Sequence, residues 1–137
     1  YIQAKSLNSI VLSGSGNVEV DGKLKSANLN NTISGSGSIE LNIDVENYNA
    51  VISGSGEISA KGNAKNARIT IAGSGDFDGQ NFKTSNANVK VSGSGDISII
   101  ADKQLDAVVS GSGDIRYTGS AKVNSTKSGS GSISKGL

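Results

Sequence analysis

Apolar residues along this chain alternate with polar ones, and the alternation itself repeats. Seven four-residue blocks, Ser-Gly-Ser-Gly six times and Ala-Gly-Ser-Gly once, begin at Ser13, Ser34, Ser53, Ala72, Ser92, Ser110 and Ser128, about 19 residues apart. With the first block residue as position 0, position +5 holds Val18, Ile39, Ile58, Phe77, Ile97, Ile115 and Ile133. Position −1 holds Leu12, Ile33, Ile52, Ile71, Val91, Val109 and Lys127, and position −3 holds Ile10, Asn31, Ala50, Ile69, Val89, Ala107 and Ser125. All three positions are odd, so they share one side of an extended chain. Helix is a poor alternative, since the 3.6-residue spacing is missing and each glycine would cost about 1 kcal/mol in a helix interior. An antiparallel meander reverses at every turn and does not return the same motif to the same place in each strand. Identical columns at a constant period instead predict parallel coils stacked in register, each residue about 4.8 Å from its equivalents. The predicted fold class is all-β: a single-stranded, right-handed parallel β-helix of about seven rungs. Its hand follows the bias of parallel strand connections.

If strand parity continues through the block, both glycines face inward and both serines outward. Gly14 and Gly16, Gly35 and Gly37, Gly54 and Gly56, Gly73 and Gly75, Gly93 and Gly95, Gly111 and Gly113, and Gly129 and Gly131 then form structural corners. A missing side chain there lets the backbone bend over the core or take positive φ. A phosphate loop is not indicated, because it needs a following helix and usually a lysine. Position −6 carries Asn28, Asn47, Asn66 and Asn86, then Gln104 and Lys122, which predicts an amide ladder up the rod. Position −4 carries Asn30, Asn49, Asn88 and Asn124, interrupted by Arg68 and Asp106. Both columns are read first as turn ladders and second as a ligand site. Repeat-length differences are expected as loops near Asp21 to Lys25, Lys61 to Lys65 and Gly79 to Thr84. The chain is read as one domain: a lead-in over 1–9, repeats over 10–133 and an end over 134–137. Ser125 and Lys127 make the last rung polar, as a cap would be, whereas Ile10, Val11 and Leu12 open the first rung abruptly.

Composition narrows the chemistry. The 137 residues are 34% hydrophobic but only 4% aromatic, enough for a narrow interior filled in rows. Thirteen basic and twelve acidic residues leave a net charge of +1, so nothing draws the chain electrostatically to nucleic acid. With no Cys or His, it offers no disulfide, thiol nucleophile, imidazole base or zinc site of the usual kind. No apolar run reaches the roughly 20 residues of a membrane span. The chain begins at Tyr1 and contains no Met, so it is read as processed or as a fragment.

The stretch VVSGSGDIRYTGSAKVNSTKSGSGSI, from Val108 to Ile133, with VSGSGDISI from Val91 to Ile99, resembles the auto-transporter adhesin, head GIN domain family of bacteria. The resemblance covers nearly the whole chain. It implies a right-handed parallel β-helix in a secreted or lipid-anchored envelope protein, and hence an extracellular or cell-surface location. It also implies an N-terminal β portion ahead of the repeats, with this sequence starting near the junction. No catalytic motif comes with the family.

Position +4 holds Glu57, Asp76, Asp96 and Asp114 on four consecutive rungs, about 5 Å apart. That spacing is near the separation in a retaining glycosidase, and the same column offers oxygen ligands to Ca²⁺. The plain alternative is a repeated surface residue kept in water. A catalytic pair needs unlike environments, which a column of equivalents lacks, so the chain is read as a non-enzyme requiring no cofactor. Position −2 places Thr32, Val51, Thr70, Val108 and Thr126 on an outward face, with Lys90 as the charged interruption. These observations favour a noncatalytic module displaying flat columns to a glycan or a surface protein. The alternatives are an envelope spacer, self-associating through its end rungs, and more remotely a polysaccharide-active enzyme.

Overall fold

The computed structural model describes residues 9–135, without the side chains of residues 20–24, 26 and 80. The expected lead-in lies outside the described residues except for Ser9, as do Gly136 and Leu137 of the expected end. The strands are β1 (Ser9–Gly14), β2 (Asn17–Gly35), β3 (Ser38–Gly54), β4 (Glu57–Gly73), β5 (Asp76–Gly93), β6 (Asp96–Gly111), β7 (Asp114–Thr118), β8 (Lys122–Ser128) and β9 (Ser132–Lys135). Every pairing is parallel: β1 through β6 pair in sequence, β6 then pairs with both β7 and β8, and β7 pairs with β9. The chain is a β-solenoid of about six turns, close to the seven rungs counted from the blocks.

The register is the one the columns predict. Val18, Ile39, Ile58, Phe77, Ile97, Ile115 and Ile133 stack directly, and all but the terminal Val18 and Ile133 are buried. Each rung bends at the glycine block; the inward-outward alternation breaks again at a second bend, where two successive residues face outward, as at Glu46–Asn47 and Lys65–Asn66. No non-glycine residue with positive φ is needed at the second bend.

The two glycines of a block do different jobs, which corrects the inward reading of both. The first of each block has positive φ, from 98° at Gly14 to 124° at Gly93. A Cβ on it would strike the first glycine of the rung below, 2.6 Å from the Gly35 oxygen in the case of Gly54. The second, from Gly37 onward, is buried and lies over the position −1 side chain of the rung below, Ile52 under Gly75 and Ile71 under Gly95. Backbone bonds continue through the corner, with the Ser55 N–H donating to the Gly35 carbonyl at 3.0 Å and Glu57 N–H to Gly37 at 3.0 Å. The corner therefore pairs most of its backbone polar groups with the rung below.

The expected loops are a second correction. Residues 21–25, 61–65 and 79–84 are extended, and the length differences are absorbed as register slips between Glu19 and Lys23, Ser59 and Lys61, and Asp78 and Lys83. A bulge adds a residue without opening the ladder, so the stack stays continuous. At a further slip the buried Thr84 hydroxyl donates to the Ile100 carbonyl at 2.6 Å.

Three of the five aromatic residues meet inside the rod. Tyr48 and Phe82 rings lie 5.3 Å apart edge-on, with Phe77 within 6.3 Å of both. Phe82 stacks above Gly62, itself above Ile43, so the glycine makes room for the ring. The Tyr48 hydroxyl accepts 2.7 Å from Asn31 Nδ2, a polar pair within the core. Burial pushes the tyrosine hydroxyl well above its ordinary pKa of 10, and the Asn31 hydrogen bond opposes that rise only in part. A raised folded-state pKa means stability is intact below about pH 10 and is lost above it, where the unfolded tyrosine ionises and the folded one does not. Tyr48→Phe should lower stability at pH 8 yet flatten its decline between pH 10 and 11, as measured by urea unfolding. An unchanged alkaline decline would exclude Tyr48 as its source.

Candidate functional site

Positions −6, −4, −2 and 0 all point outward beside one another, so the predicted ladders and contact row form a single face. Near the second bend this face sinks into a groove of about 390 Å³ that crosses five rungs from Asn28 to Gln104. Between its two walls the chain at Tyr48, Ala67 and Ala87, whose side chains turn into the core, forms the floor.

The two walls differ chemically. Along one, Asn47 Nδ2 donates to Asn28 Oδ1 at 2.8 Å, Asn66 to Asn47 at 3.0 Å and Asn86 to Asn66 at 3.1 Å. That is the amide ladder read from position −6. Gln104 leaves the row and turns to Asp106 Oδ2 at 3.5 Å. Along the other wall Asn30, Asn49, Arg68 and Asn88 stand in register and exposed, with no side-chain bond or ion pair among the described residues. At its end the Asp106 carboxylate accepts 3.1 Å from Asn124 Nδ2. Of the two columns, read first as turn ladders and second as a ligand site, the first bonds from Asn28 to Asn86 and the second bonds between Asp106 and Asn124.

The contact row runs alongside. Thr32, Val51, Thr70 and Val108 are half-buried, Thr126 and Lys90 exposed. Register sets Lys90 directly above Thr70, and Arg68 below Asn88, so two breaks in adjacent rows fall next to each other.

On the acidic flank, Glu57, Asp76, Asp96 and Asp114 stack one per rung. The aspartates reach upward. Asp76 Oδ1 accepts from the Asp96 backbone N–H at 3.3 Å, Asp96 from Asp114 at 3.3 Å, and Asp114 from Ser132 N–H and hydroxyl at 3.1 and 2.9 Å. Asp114 and Ser132 share that N–H with a glycine carbonyl below, so these carboxylates brace the corner. Among the described residues no three acidic side chains converge closely enough to hold a metal ion. Among them, too, no helix is long and apolar enough to cross a membrane.

The family described as "Putative auto-transporter adhesin, head GIN domain" matches residues 1–121. The chain belongs to this family. Solved structures share the fold: one from Parabacteroides distasonis, described as a putative lipid binding protein, is 35% identical with a TM-score of 0.95. It covers 98% of this chain, which spans 56% of that one. A putative adhesin from Bacteroides fragilis is 29% identical with a TM-score of 0.88 over 94% of this chain and 60% of its own. Another from Parabacteroides merdae, 23% identical with a TM-score of 0.80 over 95% of this chain and 64% of its own, shares the fold. The chain thus spans less than two thirds of each. No curated protein matches the chain.

Proposed function

We propose that the chain is a noncatalytic binding module of an exported bacterial surface protein, with its ligand laid against the face that joins the amide groove to the Thr/Val row. The observation that carries this reading is the groove's unbonded wall: repeated carboxamides with open donors and acceptors beside half-buried β-branched residues. Membership of an adhesin family and likeness to a Bacteroides fragilis adhesin support a surface setting. The lipid-binding description of the Parabacteroides distasonis protein makes phospholipid vesicles a second probe.

The test is a glycan array and vesicle sedimentation with the folded, labelled chain, with and without Ca²⁺. Hits that disappear in Val51→Glu and Thr70→Glu, while thermal unfolding stays near that of the parent, support this face. Hits unchanged by both substitutions move the site elsewhere. A blank on every probe, with concentration-dependent oligomers that dissolve in Ile10→Asp, assigns the chain to a structural stalk instead.

A further inference from the structure

The groove's length and its two breaks in the repeat narrow the ligand class. Five rungs at about 4.8 Å span about 19 Å, the scale of an oligomer rather than one sugar. Its free wall carries carboxamides at Asn30, Asn49 and Asn88, and each amide presents two donors and an oxygen with two lone pairs. Sugar hydroxyls, which donate and accept at every unit, match that wall; an extended peptide turns its N–H and C=O groups to alternate sides and would leave half of them facing away.

Charge supplies the rest. Arg68 replaces asparagine in the free wall and Lys90 replaces Thr or Val in the neighbouring row, one rung up. Rung spacing and strand rise put their Cα atoms about 8 Å apart. Both are exposed, and neither has an ion pair or side-chain hydrogen bond among the described residues. The groove's own carboxylate, Asp106, lies two rungs above Arg68 and is already hydrogen-bonded to Asn124 and Gln104. Two unpaired cations thus sit together among repeated amides, Arg68 two rungs from the groove's carboxylate and Lys90 one. A guanidinium fork takes a carboxylate or sulfate through two parallel bonds, and a lysine adds a point charge beside it.

Resting on the reading of this face as the binding face, we propose that the groove holds a linear acidic glycan along the rod axis, with Arg68 and Lys90 gripping one carboxylate or sulfate and the free asparagines reading the hydroxyls of neighbouring units.

Calorimetric titration of the full chain with hexamers of galacturonate, hyaluronan and chondroitin sulfate, and with neutral cellohexaose, tests it. An acidic hexamer should bind, its disaccharide far more weakly, and added salt should weaken the complex. Arg68→Gln and Lys90→Gln should each weaken binding by about tenfold or more, with Arg68→Lys recovering part of the loss. Both sites are exposed, so the unfolding temperature should hold. Equal binding of cellohexaose, or unchanged affinity in both glutamine variants, overturns the acidic-ligand proposal while leaving the binding face in place. If glycans bind and Val51→Glu and Thr70→Glu have no effect, the face is wrong and the proposal falls with it. No binding of any hexamer also overturns it, and a blank array alongside would remove the binding-module reading too.

Discussion

Ile58→Asp should unfold most of the protein at neutral pH, whereas Ser59→Lys, one residue along, should leave stability within about 0.5 kcal/mol. Ile58 is fully buried, between Ile39 below and Phe77 above. A carboxylate there has no partner, and an uncompensated buried charge costs several kcal/mol. That is comparable with the roughly 5–15 kcal/mol by which domains of this size are stable. Ser59 faces the other way, between Glu40 and Asp78. An aspartate at 59 would add a third acid to that column and confuse parity with repulsion, so lysine is the cleaner probe. Chemical denaturation of both variants decides the matter. Lowering the pH should restore part of the Ile58→Asp loss, because a neutral carboxyl is cheaper to bury. Equal effects at the two sites would overturn the parity on which every column rests.

The repeat made the columns legible, because an error of parity at one block would have to recur at all seven. Thus the Ile58 column, the outward serines and the amide ladder could be read before any coordinates. What escaped the sequence was whatever depends on contact between unlike positions. The two glycines of a block are chemically identical in the text, yet one is set by backbone twist and the other by the side chain beneath it. Tyr48, Phe77 and Phe82 occur at different block positions, so no column predicts that they meet. The acidic column reads as a row of exposed carboxylates, which it is, but the N–H groups that donate to Asp76, Asp96 and Asp114 belong to backbone and leave no mark on the repeat. The bulges were mistaken for loops, since added residues read alike in both. The groove is half visible: its walls are columns of the repeat, but that the chain at Tyr48, Ala67 and Ala87 sinks between them is a matter of backbone path that no column carries. The nearness of Arg68 and Lys90 is legible too, because register alone places them side by side although each interrupts a different row.

Gly73→Ala and Gly75→Ala should each destabilise by about 2 kcal/mol or more, but for reasons that a second substitution separates. Gly73 has φ of 115°, and its added Cβ would lie 2.6 Å from the Gly54 oxygen. Backbone on both sides fixes that clash, so no side-chain change should relieve it. At Gly75 the Cβ would overlap the Ile52 branch methyl and approach the Gly56 oxygen at 2.7 Å. Ile52 fills the space the glycine leaves, as Ile33 does beneath Gly56 and Val91 beneath Gly113. Ile52→Ala alone should cost about 2–5 kcal/mol through the cavity it opens. Combined with Gly75→Ala, the new methyl enters that cavity, and the pair should be less damaging than the sum by about 1 kcal/mol or more. Combined with Gly73→Ala, it should add within about 0.5 kcal/mol, since those two residues do not share a clash. Matching coupling energies in the two double-mutant cycles would mean that the block's glycines share one role after all, and the interlock between successive rungs would have to be discarded.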